Sequence, residues 1–263
     1  DGISWTNILP SNFNTTYGYT KVGINPQNHN EVYFLVSNTD TTGSLSTDVW
    51  GKKEYTALWK YTFISGNGAG SGGSWINLSA NLPKGSPNSF DGYHSQGGYN
   101  VVIKVHPTLP NTIFIGGTNI YRSTDGFTSP NNTTQIGGYA VGTHLVNFKL
   151  YANHHPDQHE ILFLPSNPKV LLSGCDGGVY KTLDCGADSV AWTPMNHGYV
   201  TTQFYTVHTE EGQSNSDFVF GGMQDNGTWL TSTMDATANW SEVHADDGSY
   251  GALPQGRDFI ITS

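Results

Sequence analysis

Charge is scarce in this chain. Of its 263 residues, 12% are Asp, Glu, Lys or Arg, against roughly 25% in an average soluble domain. Cations are the scarcer sign, with 11 Lys and Arg against 21 Asp and Glu and a formal net charge of −10. Such a chain gains nothing from the release of phosphate counterions, which disfavours anionic membrane surfaces, and no nucleic-acid partner is expected. Long apolar runs are missing too. None approaches the roughly 18 residues needed to cross a bilayer as a helix, so no membrane insertion is expected. Cysteine is limited to Cys175 and Cys185, too few for a disulfide scaffold. The strand read between them, at roughly 3.3 Å per residue, holds them far apart, so two free thiols are expected. Helical periodicity is absent: no stretch of ten or more residues carries apolar spacing of period 3.6 with caps.

What the chain does have is glycine, 32 residues of it, and a repeating phrase. GGTNIYRSTDGF (Gly116 to Phe127), GCDGGVYKTLDCG (Gly174 to Gly186) and GGMQDNGTWLTST (Gly221 to Thr233) each follow an apolar β-rich run, IFIGG, VLLSG or FVFGG. Gly174 and Gly221 stand 47 residues apart, and Trp192 and Trp240 stand 48 apart. A period in the forties, spent on short strands and glycine turns, is that of a four-stranded propeller blade. The fold class is therefore all-β, a β-propeller of four-stranded antiparallel blades. The repeats divide the chain into a partial blade at 1–16, blades at about 17–98, 99–158, 159–202 and 203–248, and the start of another at 249–263. DGISW at one end and FIITS at the other read as cut repeats, so the chain is expected to be a fragment of a six- to eight-bladed ring within a larger chain or assembly. In the first blade KVGINP, EVYFLVS, ALWKYTF and SWINLS read as strands, and the insert TDTTGSLSTDVWGKKEY reads as a long surface loop.

The phrases YRSTDGF and YKTLDCG resemble the Asp-box of bacterial neuraminidase repeats. Thr182, Asp184 and Gly186 match its core, Ser123, Asp125 and Gly126 match with one residue missing, and Asp1, Ser4 and Trp5 resemble the end of a third copy. More narrowly, PSNPKVLLSGCDGGVYK and FVFGGMQDNGTW are similar to the sortilin-like and glycoside hydrolase family 74-like propellers of secreted proteins. The resemblance implies a secreted or cell-surface location, and a structural role for the Asp-box aspartate as a clamp on the turn between the two outer strands.

Propeller topology sends the loop entering each innermost strand, and the turn between the second and third strands, to one face. That rule gathers His154, His155, Asp157 and His159 from one entering loop with Asp176, then Gln203, Tyr205, Gln224 and Asp225, then His244, Asp246 and Asp247. Of these, His155, Asp157, His159, Asp176, Tyr205, Gln224, Asp225, His244 and Asp247 are the candidate binding residues. His155, Asp157 and His159 form an HxDxH string that strand alternation would place on one side, a set able to hold a transition metal. The neighbouring carboxylates would suit calcium, although no cofactor is expected. The same residues can equally serve to fix glycine-rich loops by hydrogen bonding.

Asp157, Asp225 and Asp246 are the candidate catalytic carboxylates if the chain hydrolyses glycosides, a reaction that needs two carboxyl groups across a cleft. A sialidase would need an arginine cluster, and only Arg122 and Arg257 occur. Exposed aromatics offer another route to sugars, with Trp50, Tyr55 and Tyr93, beside His94, as the loop candidates, while Trp5, Trp75, Trp192 and Trp240 read as blade-closing core. The reading that results is a propeller module binding a glycan or protein partner through its channel face, with catalysis left open and not favoured. The alternatives are a family 74-like glycoside hydrolase acting on polysaccharide, and an architectural segment of a surface or secretion assembly.

Overall fold

The structure is a computed structural model that describes residues 2–86, 88–147, 149–199, 201–210, 216–253 and 259–262. Asp1 and Arg257 lie outside them. The chain divides into two compact units, Asp1–His197 and Gly198–Ser263. Every regular element longer than a 3-10 turn among the described residues is a strand, and the fold is all-β.

The first unit holds three sheets. The first is built from β1 (Thr20–Ile24), β2 (Glu31–Val36), β3 (Ser44–Thr47), β4 (Lys53–Phe63) and β5 (Gly73–Asn77). Its pairing runs β1-β2-β4, with both β3 and β5 on β4. The second follows the order β6 (Val102–Val105), β7 (Ile113–Gly116), β8 (Ile120–Ser123), β9 (Thr133–Gly137). The third follows β10 (Gln158–Leu164), β11 (Asn167–Cys175), β12 (Gly178–Thr182), β13 (Thr193–Pro194). All the pairs are antiparallel.

The middle sheet explains why β7 lacks polar residues. It is covered on both faces, and alternation divides its side chains between two clusters. Ile103, Ile113, Ile115 and Tyr121 pack with Tyr33, Leu35 and Leu58 of the first sheet. Val102, Phe114, Ile120 and Ile136 pack with Ile161, Leu171, Tyr180 and Trp192 of the third. IFIGG is therefore apolar at every position, as a doubly covered strand must be. Polar ties stitch the same faces together. The Arg122 guanidinium reaches across to the carbonyls of Cys185 (2.7 Å) and Ala187 (2.8 Å). The Trp192 indole N–H donates to Ile136 O at 2.6 Å.

Three expectations need correction. The insert of the first blade is not a bare loop: its residues 44–47 form β3, which pairs with the first half of an eleven-residue β4. Its buried positions are Ser44 and Ser46 while Leu45 is exposed, which hides this strand from an apolar-pattern search. Trp5 is not core but 91% exposed. The segment ahead of β1 instead covers the outer face of the first sheet through Phe13, which packs on Trp59 and Trp75. Nor are Tyr93 and His94 exposed loop residues; both are buried. Both cysteines are free thiols, buried with the side chains around them. Burial pushes the thiol of Cys175 up to about 12 and that of Cys185 up to about 11.

The second unit holds one four-stranded antiparallel sheet, β14 (Thr206–Thr209), β15 (Val219–Gly222), β16 (Thr228–Thr231) and β17 (Ser241–His244). A two-stranded ladder joins β18 (Gly251–Ala252) to β19 (Ile261–Thr262). Its core is Phe218, Phe220 and Leu253.

Candidate functional site

In the first unit, the loops entering β6 and β10 and the turns β7–β8 and β11–β12 are bonded into one face. The backbone does the stitching. Thr118 N donates to His94 O (2.9 Å), Asp157 N to Thr118 O (3.0 Å), Gln158 N to Gly117 O (2.9 Å) and Asp176 N to Asp157 O (3.2 Å). Beneath them the buried carboxylate of Glu54, at the start of β4, accepts Ser95 N at 2.8 Å and Gly97 N at 2.7 Å. A buried charge held by backbone donors fixes the loop ahead of β6.

On that floor stands an exposed polar cluster. His159 Nε2 pairs with Asp176 Oδ1. The Tyr99 hydroxyl donates to the same carboxylate at 3.3 Å, and its ring meets the His159 ring edge-on with centroids 4.9 Å apart. Asp157 is tied in from below by Asn100 Nδ2 at 2.9 Å. Tyr99 and Asn100 are absent from the sequence-derived set. The rule that gathered His155 to His159 from the loop entering β10 applies equally to the loop entering β6, where the phrase GGYN holds both.

The HxDxH string does not converge. Asp157 has a left-handed backbone, φ 65°, which interrupts strand alternation between His155 and His159. The three side chains separate: Asp157 bonds Asn100, and His159 pairs with Asp176. His155 lies within 3.1 Å of Pro156 O and packs its ring over Gly177, where a Cβ would come within 2.4 Å of its Cγ. Among the described residues no group of three or more His, Cys, Asp or Glu side chains is gathered closely enough to hold a metal ion. The metal set His155, Asp157 and His159 is thus corrected to a pair, His159 and Asp176, with His155 and Asp157 serving the loop. His154, next in sequence, is buried against Trp192 with ring centroids 4.3 Å apart and accepts Gly138 N at 2.9 Å. Burial, and to a lesser degree the neighbouring His155, lower its pKa to about 3.

The second unit repeats the pattern by itself. The Tyr205 hydroxyl donates to Gln224 Oε1. Asp225, with φ 57° in the β15–β16 turn, has its N–H held by Asp247 Oδ1 at 2.9 Å. Asp246, φ 66°, contributes its carbonyl to Gly227 N at 2.8 Å. His244 ends β17 opposite Thr228.

The turn aspartates sit in the β8–β9 and β12–β13 connections. Asp125 accepts the Ser123 hydroxyl (2.8 Å), Ser129 N (3.1 Å), the Ser129 hydroxyl (2.8 Å) and Asn132 Nδ2 (3.0 Å). Gly126, φ 71°, turns the chain so that the N–H of buried Phe127 reaches Ser123 Oγ at 2.8 Å. Asp184 is more lightly engaged: it accepts Gly186 N at 3.0 Å, while Thr182 Oγ1 accepts Asp184 N at 3.3 Å.

No family model and no curated protein sequence matches the chain. Among solved structures, it is similar to the crystal structure of a GH74 xyloglucanase from Xanthomonas campestris. That match has a TM-score of 0.50 and 15% identity, and covers 92% of this chain and 32% of that one. A GH74 enzyme from Niastella koreensis matches with a TM-score of 0.35 and 12% identity, over 90% of this chain and 33% of that one. The chain thus spans about a third of the length of these structures. The first likeness shows the fold, a β-propeller fragment.

Proposed function

We propose that this chain is part of a secreted or cell-surface β-propeller module that binds carbohydrate through the loop face carrying Tyr99, His159 and Asp176. The observation that carries the reading is that cluster itself: a phenol and an imidazole, each presenting a ring, hinged on one carboxylate and open to solvent. Sugar hydroxyls both donate and accept, and sugar faces stack on aromatic rings, so this mixture suits a neutral glycan better than an apolar protein surface. A net charge of −10 argues in the same direction, because a neutral ligand is indifferent to it. The blades would follow the repeat boundaries, at about 17–98, 99–158, 159–202 and 203–248. Asp125 and Asp184 would be Asp-box turn clamps, as in sortilin-like and neuraminidase-type propellers.

A hydrolase is the second reading, favoured by the fold likeness to a xyloglucanase. Against it, Asp157 is bonded to Asn100 in a loop-fixing role, and Asp176 is engaged by His159 and Tyr99 rather than by a second carboxyl group. Affinity electrophoresis in soluble plant polysaccharides, with reducing-end assays on the same samples, separates the two. Tyr99→Phe and Asp176→Asn should each weaken retardation severalfold with unchanged melting, and no reducing ends should accumulate. Turnover that falls by orders of magnitude in Asp157→Asn would establish the hydrolase instead.

A further inference from the structure

An exposed tyrosine recurs at the entrance to most of the strands that open a sheet. Tyr19 directly precedes β1, and Tyr99 stands three residues ahead of β6. In the second unit, taken by itself, Tyr205 directly precedes β14 and Tyr250 directly precedes β18. β10 departs from the pattern and carries His159 as its second residue. The four tyrosines are each more than half exposed, whereas aromatics that pack the sheets of the first unit, such as Tyr33, Trp59 and Tyr121, are buried. Burial is what an aromatic contributes to a fold, so a tyrosine repeated at strand entrances and left in solvent serves another purpose.

In the first unit these entrances are joined. Ser37 N, just past β2, donates to Tyr19 O at 2.9 Å, and the next residue, Asn38, donates from Nδ2 to Gly97 O at 2.7 Å. Gly98 makes the close approach possible: at φ 96° it has no Cβ, and one built there would come within 3.2 Å of Tyr19 Cβ. Tyr19 is thereby set against the residue that precedes Tyr99, and the Tyr99 ring in turn meets that of His159. Tyr19, Tyr99 and His159 are thus successive neighbours across the entrances of β1, β6 and β10. Packed sheets lie about 10 Å apart, so a row that crosses three of them extends over roughly 10–20 Å, more than one sugar ring covers. Polar groups stand beside it at both ends. Lys21 Nζ lies 5.8 Å from the centroid of the Tyr19 ring, and the Asp176 carboxylate is bonded to Tyr99 and His159.

Resting on the carbohydrate-binding reading above, we propose that Tyr19 is a further sugar-binding residue, and that the ligand is a linear chain of neutral sugars laid along the entrances of β1, β6 and β10. One sugar is held at Tyr99, His159 and Asp176, and sugars further along the chain reach the Tyr19 ring and the Lys21 ammonium. Three properties select such a ligand. The rings are presented singly, with polar groups between and beside them, which suits sugar faces set among hydroxyls better than a continuous apolar partner. Lys21 donates and Asp176 accepts, and only groups that do both, as hydroxyls do, are served at either end. The Asp176 carboxylate also repels an acidic sugar, so the chain is neutral. The length of the row selects a chain over a single sugar.

The test is calorimetric titration of the full chain with oligosaccharides, from disaccharide to hexasaccharide, released by acid from soluble β-glucan, xylan and galactomannan, alongside affinity electrophoresis in the three parent polysaccharides. In at least one series the hexasaccharide should bind at least about tenfold more tightly than the disaccharide, the equivalent of about 1.4 kcal/mol. Tyr19→Ala should cut that rise to about threefold or less at an unchanged melting temperature, whereas Tyr19→Phe, which keeps the ring, should retain it. If Tyr19→Ala lowers the melting temperature, Tyr19→Leu, which keeps apolar bulk without a ring face, carries the test. A rise that survives in folded Tyr19→Ala or Tyr19→Leu would overturn the assignment to Tyr19, and a rise lost in Tyr19→Phe as well would overturn stacking as its cause. Equal affinity along every series, with retardation that still depends on Tyr99, would overturn the extended chain site and leave carbohydrate binding standing. Absence of both retardation and oligosaccharide binding would overturn both.

Discussion

Replacing Asp125 with Asn tests whether the β8–β9 turn is held by charge. Four donors converge on this carboxylate: the hydroxyls of Ser123 and Ser129, Ser129 N–H and Asn132 Nδ2. Partial burial raises its pKa, but the hydrogen bonds from Asn132, Ser123, Ser129 and Thr128 outweigh that and bring it from the ordinary 3.8 down to about 2. At about 1.36 kcal/mol per pKa unit, reduced because the group is partly solvated, the ionised form stabilises the fold by about 1–2 kcal/mol. A folded pKa below the unfolded one means that this contribution is complete above pH 4 and disappears as pH falls through about 2, with about half gone by pH 3. Asn keeps the shape and one acceptor oxygen but can neither ionise nor accept from all four donors. Urea unfolding of both proteins should therefore show Asp125→Asn less stable by about 1–2 kcal/mol at pH 7, with the difference narrowing to about half that at pH 3. A difference that is the same at both pH values would refute a charge-based clamp, and no difference at pH 7 would refute the clamp altogether.

Arg122→Met keeps the length of the side chain but abandons the carbonyls of Cys185 and Ala187, and should lower stability by roughly 2–3 kcal/mol in thermal or urea unfolding. His154 is buried with its pKa near 3, so its neutral form stabilises the fold above about pH 6.5, and that contribution is lost as pH falls toward 3. His154→Gln, which retains an acceptor for Gly138 N–H, should abolish that part of the acid destabilisation, as read from melting temperature against pH. The thiols of Cys175 and Cys185 should react with a disulfide reagent at pH 8 only after urea is added, since burial suppresses both thiolates; prompt labelling of the native chain would contradict their placement.

The parts of the fold that could be read in advance are those where one physical constraint acts alone. IFIGG, VLLSG and FVFGG announce strands because their faces are buried, and they became β7, β11 and β15. β3 could not be read that way. SLST carries its hydrogen bonds through the backbone and its apolar content through one leucine, so nothing in its side chains separates a strand from a loop. Trp5 and Trp192 present the converse problem. Both stand in phrases that resemble a closing strand, yet Trp192 finds the carbonyl of Ile136 and an apolar cluster, while Trp5 is left in solvent. Sequence specifies the residue; only the neighbour decides whether it is buried.

The candidate site divides along the same line. Its location was legible because propeller topology alone sends certain loops to one face, and His159 and Asp176 do meet there. Its composition was not. The alternation that made HxDxH look like a ligand set fails at one residue, Asp157, whose left-handed backbone turns its carboxylate to Asn100. A single φ angle thus converts a candidate metal set into a loop anchor beside the exposed, hydrogen-bonded His159 and Asp176. That difference directs experiments on this face to Tyr99 and Asp176, whose carboxylate joins Tyr99 to His159, rather than to His155 and Asp157, whose removal would loosen the loop and lower binding without touching the ligand. Melting temperature separates the two outcomes, because only the loop anchors should lower it.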